Sequence, residues 1–181
     1  MKLSRRIEEE ILLLKIKHGD QQAFVVLYER YVDPLFRFVA YRVRSQELAQ
    51  DITSELFLKV WQRLTAHQAR VQNLRAFLYQ VARNLIADHY RSQQATLPLE
   101  EAAQVASTEA GSEVTIDLKL SLAEVEQGLK ELKGEWQEVV LLAYVEGLKP
   151  AEIALIIEKT PAATRVMLHR ALKELKRLLK K

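Results

Sequence analysis

Residues 147–181 read GLKPAEIALIIEKTPAATRVMLHRALKELKRLLKK, and this stretch carries the grammar of a helix-turn-helix. Pro suits a first helical position because the N–H it lacks would be unpaired there, so Pro150 and Pro161 each mark a helix start. Thr160 can cap the second start through its hydroxyl. Ile153, Ala154, Ile156 and Ile157 give the first helix an apolar stripe, and Leu168, Ala171, Leu172 and Leu175 do the same for the second. Two helices joined so tightly must cross and pack, which leaves the outer side of the second free. That side carries Arg165, His169, Arg170 and Lys173, with Lys176 and Arg177 farther along. A basic exposed helix after a tight turn suits a DNA major groove. A plain helical hairpin with a solvated basic face is the alternative on periodicity alone.

Working outward, the chain has 181 residues, enough for one domain with a good core or two small ones. Gly (5) and Pro (4) are scarce, and Leu, Ala, Glu, Lys, Arg and Gln dominate, so the fold class is all-α. The absence of Cys excludes disulfides, thiolate zinc sites and cysteine nucleophiles, and four scattered His offer no metal spacing. Neither a metal nor a cofactor is expected. Ile11 to Leu14 is too short an apolar run, and too closely flanked by charge, for a signal peptide or a membrane span. A cytoplasmic protein without membrane insertion follows.

The net charge of +3 conceals a pattern. Residues 1–92 hold 15 Lys or Arg against 10 Asp or Glu, residues 93–118 hold none against 5, and residues 119–181 hold 12 against 9. A basic body, an acidic tether and a second basic body are the result. Gln93 to Leu118 also contains Pro98, Gly111 and several Ser and Thr with no helical stripe, and reads as a linker between two small helical domains.

In the first body, Asp20 is a good N-cap for a helix with Ala23, Phe24, Leu27, Tyr28 and Tyr31 at helical spacing. Asp33-Pro34 is expected to restart the chain in a second helix. From Gln46 to Leu64 the residues Leu48, Ile52, Leu56, Val60 and Leu64 fall four apart, with Ala49, Phe57 and Trp61 widening the stripe. Asp51, Glu55 and Lys59 form a second ladder that should face outward. A loop from Thr65 to Asn73 precedes a helix from Leu74 to about Arg91. Leu74, Phe77, Leu78, Val81, Leu85 and Ile86 are its expected core side, and Arg75, Tyr79, Arg83, Asn84, His89 and Arg91 its polar side. A positive face with aromatics and amides can contact phosphates and stack on unpaired bases. The plainer alternatives are a solvated helix face for Asp51 and Glu55 and partial core packing for Tyr79 and Tyr90.

Together these segments resemble a known family. Gly19-Asp20-Gln21-Gln22-Ala23-Phe24 with Leu27-Tyr28-Glu29-Arg30-Tyr31, then Ala49-Gln50-Asp51-Ile52 with Glu55, Phe57 and Val60-Trp61, then Phe77-Leu78-Tyr79 with Ala82-Arg83-Asn84-Leu85 and Asp88-His89, look like region 2 of a bacterial sigma factor. Val139-Val140-Leu141-Leu142, Tyr144 to Leu148, Glu152-Ile153-Ala154 and Leu168 to Leu172 look like region 4. Two such regions, a short linker and little else resemble the extracytoplasmic-function class of the sigma-70 family. No appended sensor domain is expected.

The resemblance implies a factor that binds core RNA polymerase and directs it to a subset of promoters. Region 2 would occupy residues 1–92, the linker 93–118 and region 4 residues 119–181. The third helix would dock on the β′ clamp through Asp51 and Glu55, with Phe57 and Trp61 supporting from the core side; the β flap is a second polymerase contact. His67, Arg70 and Asn73 in the loop, with Arg75, Tyr79, Arg83 and Asn84, would hold the unwound −10 strand. Arg165 and His169 would meet −35 base edges, Arg170 and Lys173 phosphates, and Val166 either thymine methyls or its own neighbours. The acidic linker would thread toward the polymerase cleft, and an anti-sigma protein would hold the free factor.

Several positions depart from the family's pattern. Glu158 stands where the turn commonly has Gly, so a turn of that kind would force a non-glycine residue to φ > 0. Ala162 replaces a second Gly, Thr164 an aliphatic residue, Val166 and Met167 polar ones, and Lys149 a capping Ser or Thr.

Two competing functions are distinguishable. A conventional helix-turn-helix regulator with an N-terminal dimerisation bundle would favour a palindromic operator, but has no reason to combine Asp51 and Glu55 with the Phe77 to His89 pattern. A helical enzyme lacks support, because there is no glycine-rich phosphate loop, no thiol and no convergent His and carboxylate set.

Overall fold

The computed structural model describes residues 5–68, 71–94 and 122–180. It divides into two compact units, Met1–Gln93 and Gln94–Lys181. Helix is the only regular structure among the described residues. Most of the expected linker, and Arg70 of the expected −10 loop, lie outside the described residues.

The first unit contains α1 (Arg5–Lys17), α2 (Gln21–Arg42), α3 (Gln46–Thr65) and α4 (Leu74–Gln94). α1 was not foreseen as a helix; it buries Leu12, Leu13 and Ile16 against α2 and α3. It ends in a Schellman motif, in which Gly19 at φ 83° lets its own N–H reach the Ile16 carbonyl (2.9 Å) and the Asp20 N–H reach that of Lys15 (3.1 Å). Asp20 then caps α2 as expected, its Oδ1 accepting from the Ala23 N–H at 3.0 Å. The restart expected at Asp33-Pro34 does not occur. α2 runs unbroken with Pro34 inside it. An interior Pro costs about 3 kcal/mol, whereas Leu27, Tyr31, Leu35, Phe38 and Val39 form one buried stripe across it. At about 1.5–3 kcal/mol for each large side chain, continuity outweighs the missing bond.

α3 is capped by Ser45, whose Oγ accepts from the Leu48 N–H at 3.1 Å. Its buried stripe is Ala49, Ile52, Leu56, Phe57, Val60 and Leu64, with Leu48 only half-buried. α4 joins α2 through an edge-on contact of Tyr79 with Phe38 (5.2 Å) and through Tyr90, whose hydroxyl donates to the Arg42 carbonyl at 2.9 Å.

The second unit contains α5 (Leu122–Glu131), α6 (Gly134–Val140) continuing through a π-helical turn over Leu141–Val145, α7 (Pro150–Ile157) and α8 (Pro161–Leu178). α8 is the element on which α5, α6 and α7 all pack. Val139, Val140, Leu141 and Leu142 are buried in succession, so this part of the chain is covered on nearly every side. α5 approaches α8 at Gly128, where a Cβ would stand 3.0 Å from both Leu175 Cδ1 and Leu179 Cδ2. A larger residue there would push the two helices apart.

Candidate nucleic-acid interface

The α7–α8 pair is the helix-turn-helix expected from its two prolines. Thr160 Oγ1 accepts from the Ala163 N–H at 3.1 Å, fixing the first turn of α8. Lys149 cannot accept a bond through its side chain, but Glu152 supplies the reciprocal half of a capping box, accepting the Lys149 N–H at 2.9 Å. Between the helices Glu158 sits at φ 57°, ψ 41°, in the left-handed region where the pattern of the turn calls for glycine. The Lys159 N–H closes the turn on the Ala154 carbonyl at 3.1 Å. Holding a side chain there costs about 1–2 kcal/mol. Thr164 is fully buried, and its hydroxyl donates to the Thr160 carbonyl at 3.0 Å, so a polar residue fits an apolar site without an unmet bond.

Of the residues expected to face DNA, Arg165, Val166 and Lys173 are exposed and His169 and Arg170 half-buried. Val166 and Lys173 lie seven residues apart, two turns along the same line, with His169 between them; Arg165 sits about 100° to one side. Leu168, expected in the core, is half-buried, whereas Ala171, Leu172 and Leu175 are buried. Farther along, Arg170, Lys173, Lys176, Arg177 and Lys180 line a shallow groove with Trp136 of α6 and Glu174. Glu174 holds Arg177 in a two-pronged pair at 2.9 and 2.6 Å, which raises the guanidinium above its ordinary pKa and keeps one cation oriented.

The first unit separates the expected −10 residues. His67 is exposed and sits at φ 54°, the left-handed residue of a Schellman motif that ends α3: its N–H bonds the Leu64 carbonyl (3.3 Å) and that of Gln68 the Arg63 carbonyl (3.1 Å). Asn73 is the N-cap of α4, its Oδ1 accepting from the Ala76 N–H at 2.8 Å, which leaves its amide N–H groups as donors for a ligand. Arg75 and Arg83 are half-buried and Asn84 exposed. Nine residues, two and a half helical turns, set Arg75 and Asn84 on opposite sides of α4.

Tyr79 was misplaced by sequence reasoning. It is fully buried, edge-on to Phe38, because α4 is buried around most of its circumference, at Leu74, Ala76, Leu78, Val81, Ala82, Leu85 and Ile86 as well. Phe77, expected in the core, is instead half-buried and lies seven residues from Asn84 on the same line. Phe77 is thus a partly exposed aromatic on the same side of α4 as Asn84. The signal that could have found it is its two-turn spacing from Asn84.

On α3, Asp51 and Glu55 are exposed as expected, and Lys59 grips Glu55 at 2.8 Å. Phe57 is buried between α2 and α3, with ring centroids 4.7 Å from Tyr28 and 6.4 Å from Phe24, and half-buried Trp61 packs on Phe24 at 5.0 Å. Phe57 can support the α3 face but cannot touch a partner. Leu58 was missed: it is 56 % exposed, three residues after Glu55 and seven after Asp51, an apolar side chain at the C-terminal end of the carboxylate line. Among the described residues there is no His or carboxylate group spaced to hold a metal ion, and no helix is long and apolar enough to cross a membrane.

Comparison with known proteins adds an independent line. Residues 27–96 match the family model of sigma-70 region 2, and residues 122–175 that of sigma-70 region 4. The ECF RNA polymerase sigma factor BldN of Streptomyces coelicolor is 32% identical over 93% of this chain, which spans 64% of that protein's length. SigD of Mycobacterium tuberculosis, also an ECF RNA polymerase sigma factor, is 30% identical over 87% of this chain and 77% of its own length. The structure of CnrH in complex with the cytosolic domain of CnrY matches with a TM-score of 0.72 at 21% identity, covering 96% of this chain and 97% of that one, and so shares the fold. The chain belongs to the extracytoplasmic-function subfamily of the sigma-70 RNA polymerase sigma factors.

Proposed function

We propose that the protein directs core RNA polymerase to a subset of promoters by dividing four contacts between its two units. In the region 4 unit, Val166, His169 and Lys173 run along the outer line of α8 into the −35 major groove, Arg165 reaches base edges from its side, and Arg170 holds phosphate. In the region 2 unit, His67, Asn73, Arg83 and Asn84 contact the unwound −10 strand, with Phe77 as the stacking aromatic and Arg70 as a phosphate contact, while Arg75, on the opposite side of α4 from Asn84, is left out of this set. The α3 face of Asp51, Glu55 and Leu58 docks on the β′ clamp, with Phe57 and Trp61 holding α3 from behind; the β flap is the polymerase contact of region 4. Residues 93–118 are the acidic tether between the two. The protein has no catalysis of its own and works in the cytoplasm. By likeness to CnrH, which is bound by the cytosolic domain of CnrY, an anti-sigma protein holds the free factor.

The observation that carries this reading is the exposed carboxylate face of α3, which a purely DNA-binding regulator has no use for. Run-off transcription with purified core polymerase on a genomic fragment library tests it. Wild type yields discrete transcripts and Asp51→Arg/Glu55→Arg yields none. Specific duplex binding by the protein alone, with no transcript, would overturn it.

A further inference from the structure

Three cations of α8, Lys176, Arg177 and Lys180, have no task in −35 recognition. All three are exposed, and with Arg170 and Lys173 they border the groove whose aromatic wall is the half-buried Trp136 of α6. Although five of its lining residues are cations, the surface inside the groove is mostly apolar. The indole and the methylene stems of the long side chains form the wall, and the charged heads stand toward water. Glu174, the acidic lining residue, does not oppose that charge: its carboxylate oxygens accept from Nε and Nη2 of Arg177, which leaves the Arg177 Nη1 group as a donor.

We propose that this groove binds single-stranded nucleic acid, with one unpaired base against the Trp136 indole and the phosphates along the cations of α8. Ten residues of helix separate Arg170 from Lys180, about 15 Å. A stacked strand carries one phosphate for each ~3.4 Å, so the row spans about four phosphates. At about 450 Å³ the groove has the size of a small-ligand cleft, room for one base rather than a base pair. Duplex DNA keeps its base faces in its own stack and would leave the indole without a partner. An acidic peptide brings charge, but no flat ring with each charge. A single strand supplies both, which is how grooves of this kind hold it. Initiation produces two such strands, unwound DNA and new RNA, and their shared chemistry is what the groove fits. Arg170 and Lys173 border the −35 surface as well, so the test spares them.

Trp61 and Trp136 are the only tryptophans, so Trp61→Phe in the full chain makes Trp136 the sole indole reporter. A reporter inside the groove is needed because region 2 also takes a single strand. Oligothymidylate or oligouridylate of about eight nucleotides, a length within the site sizes of such grooves, should quench Trp136 saturably. A stronger response to the RNA would assign the groove to transcripts and a stronger response to the DNA to the unwound promoter, and either bears the proposal out. An oligoglutamate of equal length and a hairpin duplex should each quench less than about a fifth as much, and an abasic strand of equal charge should compete about tenfold more weakly. Lys176→Gln/Lys180→Gln should flatten the slope of log affinity against log salt by about 1.4, two contacts at about 0.7 each, with −35 duplex affinity kept within about twofold. Both positions are exposed, so unchanged helix content confirms that folding is intact. Absent quenching, equal quenching by oligoglutamate or duplex, equal competition by the abasic strand, or a salt slope untouched by the lysine pair would overturn the proposal.

Discussion

α8 and α4 are the two helices assigned to DNA, and they obey different rules. α8 is buried along one side, by Thr164, Ala171, Leu172 and Leu175, so the alternation of apolar and polar residues maps directly onto inside and outside. α4 is buried at Leu74, Ala76, Leu78, Tyr79, Val81, Ala82, Leu85 and Ile86, which spreads over most of its circumference. On such a helix a residue's polarity no longer says which way it points. The difference teaches that a nucleic-acid surface is legible in sequence where a helix is one-sided, and has to be found geometrically where it is wrapped.

The sharpest way to break the comparison is to exchange the roles given to Tyr79 and Phe77. Tyr79→Ala removes a fully buried ring and should cost about 3–5 kcal/mol, read by urea unfolding of the intact protein. Phe77→Ala, half-buried, should cost about 1–2 kcal/mol and yet abolish permanganate reactivity of unpaired thymines in the −10 region. If Tyr79→Ala instead left stability intact and lost only promoter opening, α4 would be one-sided after all.

Much of the fold was readable for the same reason that α8 was. The caps Asp20 and Thr160, the two prolines of the helix-turn-helix and the four-residue ladder of α3 are local signals with one physical outcome. What escaped was decided by tertiary packing. Pro34 looked like a helix start because local chemistry favours it there, and only the continuous buried stripe from Leu27 to Val39 overrides that preference. α1 was passed over because its two apolar sides read as one run, Ile11 to Leu14, without a period. At the candidate sites, the outward placement of Asp51 and Glu55 on α3 and of Arg165, Val166 and Lys173 on α8 was legible, whereas Leu58 and Phe77 went unnoticed because exposure of an apolar side chain is set by what fails to cover it.

A smaller effect sharpens the contrast at the turns that precede the two helices. Glu158 before α8 and His67 before α4 both occupy the left-handed region, at φ 57° and 54°. Replacing either by Gly should relieve strain and raise stability by about 1 kcal/mol, measured by thermal unfolding, less whatever the native side chain contributes. The functional consequences should differ. Glu158→Gly keeps the exposed line of α8 unchanged and should leave −35 duplex affinity within about twofold, whereas His67→Gly should weaken promoter opening because it deletes a side chain assigned to the −10 strand. Equal, negligible effects of both on transcription would reduce His67 to a cap residue.

The smallest expected change in stability tests whether a capping residue can also read DNA. Thr160 and Asn73 cap α8 and α4 through one side-chain oxygen each, at 3.1 and 2.8 Å. Thr160→Ser and Asn73→Ser both retain an accepting oxygen, so each should shift unfolding by no more than about 0.5 kcal/mol. Thr160 serves the cap through Oγ1 and the turn through its backbone carbonyl, and Ser keeps both, so Thr160→Ser should be silent in transcription. Asn73 has an amide left over, and its replacement by Ser removes those N–H donors while keeping the cap. A loss of −10 opening by Asn73→Ser at unchanged stability would separate the two roles within one side chain. An unchanged activity would assign Asn73 wholly to α4, and move −10 recognition along the helix to Phe77, Arg83 and Asn84.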